Sequence, residues 1–143
     1  MSIEEGQILN FLPPILDGNE KSDKRRYMLV VNSNEETKEI SMLNVSSIKG
    51  KEAKLLMDSN MPIENYSPLV VPSFAKLKTT YKIKYFDELE NYVFSGGTKI
   101  EKEKLEKIKY EKSLYEKKHN NSNEIVFLRD EFQKYNNNTI RKV

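Results

Sequence analysis

Hydrophobic positions in this chain fall into short clusters up to residue 86 and into spaced stripes after residue 98. Residues 7–12 predict a first strand, closed by Pro13 and Pro14 because proline cannot donate to a sheet ladder. A polar loop follows over 17–24, and then 27–31 (YMLVV) is nearly continuously apolar, as in a central strand buried on both faces. After a turn at 32–37, residues 39–45 alternate. A turn at 46–52 leads to a short strand at 54–57; a loop at 62–68 precedes a buried strand at 69–71, and residues 81–86 alternate again. Five or six short strands with no long helix between them predict a small antiparallel barrel or a sandwich.

The period changes after that. Residues 87–94 fit two helical turns ended by Ser95, Gly96 and Gly97. Thr98 and Glu101 have the spacing of a capping box, in which hydroxyl and carboxylate satisfy each other's first-turn amides. That box would open a helix with Leu105, Ile108 and Tyr115 on a narrow apolar stripe and Glu/Lys pairs elsewhere. Ile125, Leu128, Phe132 and Tyr135 fit a second amphipathic helix, although 124–128 (EIVFL) also reads as a strand. The pattern thus divides into a β unit over 1–98, a charged helical extension over 99–135 and a frayed tail over 136–143.

Composition narrows the chemistry. The 143 residues include no cysteine and one histidine, which excludes thiolate metal sites, disulfides, cysteine nucleophiles and any centre needing two imidazoles. No metal site or cofactor is expected. His119 sits at the break between the two helices, where a solvated histidine suits the C-terminal dipole. The N-terminal apolar run is broken by Asn10, Pro13 and Pro14, so neither a signal peptide nor a membrane span is expected, and a cytoplasmic address is the default. The net charge of +2 conceals an asymmetry: residues 1–98 hold 12 Lys and Arg against 14 Asp and Glu, and residues 99–143 hold 12 against 8. The basic surplus of the extension suits RNA or an acidic protein segment, or simply a solvated helix face.

Two short constellations remain. Gly18, Glu20, Lys21, Lys24, Arg25 and Arg26 run into the buried strand, and an arginine at a strand mouth offers a fork of donors suited to phosphate. Ser46 and Ser47 end the alternating strand, where a hydroxyl can hold a phosphate oxygen or serve only the turn. Farther on come Lys76 and Lys78.

In this order the motifs resemble the MazF/PemK-like toxins of bacterial toxin-antitoxin modules. The resemblance rests on Gly6-Gln-Ile-Leu9, Pro14, Gly18-Asn-Glu20, Arg26 with Tyr-Met-Leu-Val-Val31, Val45-Ser46, Leu55-Leu-Met-Asp58 and residues 69–77, and covers roughly 5–86. Tyr27 stands where the family usually has proline, and Ser46 where it usually has threonine. The resemblance implies an SH3-like barrel, a homodimer, an antitoxin partner and metal-independent cleavage of single-stranded RNA. Arg26 would stabilise the charge on phosphorus, Ser46 would hold a phosphate oxygen, and Glu20 would act as base. Lys21, Lys24, Arg25, Ser47, Lys76 and Lys78 would bind the RNA backbone, while Tyr27 or Phe11 would stack on a base. Counting from Gly18 favours Arg25 as the active arginine, and counting back from the strand favours Arg26. The alternative is a non-catalytic SH3-like module of a plasmid or phage that binds nucleic acid or peptide.

Overall fold

The computed structural model describes residues 1–17, 24–63, 67–69, 71–120 and 123–141. Its strands are β1 (Ile8–Phe11), β2 (Arg26–Ser33), β3 (Glu39–Ser47), β4 (Asn60–Ile63), β5 (Ser73–Lys76), β6 (Thr79–Lys84) and β7 (Asn123–Phe127). Helix α1 (Lys102–His119) precedes β7 and α2 (Arg129–Arg141) follows it, so the chain is mainly β with C-terminal helices, as its pattern predicts.

β1, β2 and β3 form an antiparallel meander. β3 then serves two partners: residues 39–42 pair with β6 and residues 45–47 with β5, which pairs in turn with β4. This division, and a register shift between Val30 and Asn32 in β2, bend the sheet. The sheet is open and branches at β3, so that β1, β4 and β7 each pair with one strand only. β7 runs parallel to β6, a pairing that needs the long crossover α1 provides.

Both faces of the sheet are covered, which explains why 27–31 shows no alternation. Met28 and Val30 enter one core, with Leu9, Phe11, Met42 and Tyr81; Leu29 enters the other, with Ile8, Leu43, Val45, Leu105 and Ile108. The first core is aromatic and centres on Phe132 of α2, whose ring lies 4.9 Å from Phe11, 5.2 Å from Tyr92 and 5.6 Å from Phe86. Residues on both sides of position 98 therefore build both cores. Phe11 is fully buried here, which removes it as a base-stacking residue.

Several local expectations yield to tertiary contacts. Residues 54–57 belong to a 3-10 turn, Glu52–Leu56, and its continuation, because Leu56 finds no core and stays 90% exposed. Residues 69–71 form no strand among those described. Leu69 is buried, Val71 is exposed, and pairing starts only after Pro72. The Thr98 capping box does not form: the Thr98 hydroxyl donates to the Ser95 carbonyl at 2.9 Å, and the Ile100 amide donates to the Gly6 carbonyl at 2.9 Å. Gly6 permits that approach, with φ at +93° and the Lys99 Cβ only 3.3 Å from where a side chain would begin. Residues 124–127 take the strand alternative, leaving Leu128 exposed. Helix α2 runs through the segment expected to fray. Asn136 is fully buried, donating to the Leu12 and Phe132 carbonyls at 3.0 and 2.9 Å and accepting from the Leu12 amide at 2.7 Å.

Candidate nucleic-acid interface

Arg26 opens β2 opposite Phe11 of β1. The last paired residues of β2 and β3 are Tyr27 and Val45, so Arg26 and Ser46 each stand one step beyond that pair. Side chains alternate along a strand, which puts both on the face that carries Met28 and Asn44. On its other side Ser46 pairs with Phe74 of β5, and Lys76 follows two residues later on the same face, opposite Asn60 of β4. Packing of the sheet therefore brings Arg26, Ser46 and Lys76 to one surface.

This surface gathers positive charge among the described residues. Arg26 is half-buried, and its Nε is buried with no hydrogen-bond partner. Beside it, burial first, and then the charges of Lys54, Lys24 and Arg26, hold the Lys51 ammonium below the usual lysine range. Four like charges gathered this way cost stability unless an anion joins them. The 3-10 turn explains two of them. Lys51 and Lys54 are three residues apart, a spacing that eclipses side chains in a 3-10 helix, and the Lys54 amide donates to the Lys51 carbonyl at 2.9 Å. Asn60 holds the turn against the sheet by donating from Nδ2 to the Lys54 carbonyl at 2.8 Å. The strand expected at 54–57 hid Lys54, whose three-residue spacing from Lys51, just after Gly50, was the available signal.

Ser46 is buried, and its hydroxyl reaches the Asn44 side-chain oxygen only at 3.5 Å, the limit of a hydrogen bond, so it can turn to another acceptor. Lys78 stands at the corner between β5 and β6 and pairs with Asp17 at 3.8 Å. Lys54, Lys76 and Lys78 line one cleft of about 320 Å³, together with Asp17, Thr79 and Tyr81.

Other expected residues lie elsewhere. Arg25 turns to the Tyr92 ring, 5.9 Å from its centroid, and takes no part in the charge crowding at Lys51, which separates it from Arg26. Ser47 points to the opposite face. It lines a small apolar hollow with Tyr27, Val45, Leu69 and Phe94, and its hydroxyl accepts from the Lys49 amide at 3.3 Å. Tyr27 is 37% exposed on that same face, with its ring edge-on to Phe94. Glu20 and Lys21 lie outside the described residues. His119 ends α1 as expected and carries a partner besides the dipole, with Nε2 2.8 Å from Asp58. Among the described residues no three His, Asp or Glu side chains gather as a metal centre, and no helix is long and apolar enough to cross a membrane.

No protein-family model matches the chain, and no curated protein matches it either.

Proposed function

We propose that this protein is a metal-independent endoribonuclease of the MazF/PemK toxin kind, acting on single-stranded RNA at the surface around Arg26. The observation that carries the reading is the Arg26 guanidinium. Its Nε is buried without a hydrogen-bond partner, its charge acts on Lys51 together with those of Lys54 and Lys24, and it stands opposite Ser46 just beyond the Tyr27–Val45 pair. A phosphodiester offers these cations an anion with several acceptor oxygens.

In the proposed reaction the ribose 2'-oxygen forms a bond to the adjacent phosphorus while the bond to the 5'-oxygen of the next nucleotide breaks, leaving a 2',3'-cyclic phosphate. The 2'-hydroxyl proton passes to a base, the role the family resemblance gives Glu20, and the departing 5'-oxygen gains a proton. Arg26 donates to the phosphoryl oxygens as their charge grows, and Ser46 fixes one of them. A homodimer and an antitoxin with an extended acidic segment belong to the same proposal.

The competing reading, a binding module without chemistry, is favoured by one observation. Ser46 is buried and already turned toward Asn44. Incubating the protein with a mixed-sequence single-stranded RNA in EDTA separates the two. Cleavage by wild type, reduced about 10²- to 10³-fold in Arg26→Ala, is the expected result. RNA bound but intact with wild type would establish the binding module. Equal cleavage by both proteins would move the active arginine to position 25, with Arg25→Ala as the next variant.

A further inference from the structure

The cleft lined by Lys54, Lys76 and Lys78 holds a feature that cleavage at Arg26 leaves unused. Thr79 opens β6 and is only 4% exposed, yet its Oγ1 is buried with no hydrogen-bond partner, and the residue lines the cleft. A β-branched threonine with an unsatisfied buried hydroxyl costs stability that valine would not. Rotation about the Thr79 Cα–Cβ bond toward the cleft that the residue lines would let a ligand there satisfy the hydroxyl. The volume, about 320 Å³, lies at the small end of ligand sites. The described lining carries three lysines and Asp17, whose pairing with Lys78 at 3.8 Å is long. Tyr81 contributes a wall rather than a stacking platform, since its ring is buried and lies 5.6 Å from Phe127 in a stacked arrangement.

We infer that this cleft is a second phosphate site, in which the Thr79 hydroxyl donates to a phosphate oxygen and Lys54, Lys76 and Lys78 supply the charge. The inference rests on the proposed action at Arg26 for its source of phosphate, an RNA nucleotide neighbouring the one cleaved. Lys54 makes the two places continuous: it lines the cleft and also presses on Lys51 beside Arg26. A chain with several phosphates spans both, and a lone phosphodiester at Arg26 does not. Thr79 is thus a positioning residue for the polymer.

The test uses full-length protein, a 2'-O-methyl oligoribonucleotide that cannot be cleaved, inorganic phosphate and hexaglutamate, with the backbone amide signal of Thr79 followed by nuclear magnetic resonance. The oligoribonucleotide should shift that signal. Thr79→Val should bind it about 10-fold more weakly, the size of one hydrogen bond to a charged group, and Thr79→Ser should recover most of the loss. Lys54→Gln should flatten the slope of log affinity against log salt by about 0.7, the share of one single-strand phosphate. Because the threonine hydroxyl has no partner in the protein, Thr79→Val should fold and melt no lower than wild type. A shift with inorganic phosphate alone keeps the phosphate site and makes free anions its source, overturning the RNA assignment. A shift with hexaglutamate alone, or with none of the three, overturns the site itself. Cleavage in EDTA reads separately: oligonucleotide bound in the cleft but RNA uncut by wild type removes the nuclease reading and leaves the site standing, and RNA cut equally well by Thr79→Val, with unchanged KM and no signal shift, does the reverse.

Discussion

The basic extension after residue 98 and the cationic surface around Arg26 contain the same residue types and use them differently. In the extension three lysines find carboxylates on the β unit: Lys99 pairs with Glu4 at 3.2 Å, Lys109 with Glu5 at 2.8 Å and Lys118 with Asp58 at 3.0 Å. Lys112 is buried and donates to the Leu77 carbonyl, and burial holds its ammonium below the usual range. Around Arg26, by contrast, Lys51 meets other cations and Arg26 Nε meets nothing. Net charge pointed to the extension as the place where a polyanion binds. On the reading proposed above that place is instead the surface around Arg26, whose Nε has no hydrogen-bond partner among the described residues.

The contrast is broken most forcefully through Phe132. If the extension is an integral part of the fold, its apolar docking should outweigh all of its ion pairs, since partly exposed pairs contribute about 0 to 1 kcal/mol each. Phe132 is 1% exposed and touches three aromatic rings from β1 and the 86–92 segment. Phe132→Ala should cost about 3 to 5 kcal/mol in a denaturant titration. A loss below about 1 kcal/mol, within the range of a single exposed pair, would mean that the helices are an appendage and that their charges are available for other work.

A medium effect should come from Lys51→Gln set against Lys109→Gln. Lys51 has a lowered folded pKa, so its proton is held more tightly in the unfolded chain, and near neutral pH it opposes folding. Its replacement should leave the melting temperature unchanged or raise it, a gain that fades as pH rises through the lowered pKa toward 10.5. The same substitution should weaken RNA binding several-fold and flatten the salt slope by about 0.7. Lys109→Gln should do the opposite, lowering stability by up to about 1 kcal/mol with RNA affinity intact. RNA affinity lost in Lys109→Gln and kept in Lys51→Gln would reverse the assignment of the two regions.

How much of this was legible in the sequence follows from the range of each interaction. The strands at 27–31 and 39–45 were readable because a continuous or alternating apolar run states its own burial. The adjacency of Arg26 and Ser46 came only with the family resemblance: the register set at the turn would put Arg26 opposite Ser47, and the shift between Val30 and Asn32 puts it opposite Ser46. The capping box at Thr98 was a sound local signal, overruled by a partner 94 residues away: the Ile100 amide goes to the Gly6 carbonyl. Asn136 looked like tail composition until its contacts with Leu12 made it a clasp across 124 positions. Lys51, Lys54 and Thr79 carry no pattern along the chain that marks them as a group. Only the folding of the 3-10 turn against β4 brings Lys54 to the cleft that Thr79 lines, and only burial shows that the Thr79 hydroxyl has no partner.

The smallest effect should be found at Asp58, where the end of α1 returns to the segment that carries Lys51 and Lys54. Hydrogen bonds from His119 first and from Lys118 second hold the Asp58 carboxyl below its ordinary value of 3.8. A depressed carboxylate contributes stability that is fully present above the unfolded pKa and is lost as pH falls through the folded one. Asp58→Asn should therefore melt slightly lower than wild type at every pH above about 4, with the gap closing below 3.8. Both partners are half exposed, so the gap should also shrink with added salt. Identical acid limbs for the two proteins would show that Asp58 does not help to hold α1, leaving the 3-10 turn and its lysines unlinked to the extension.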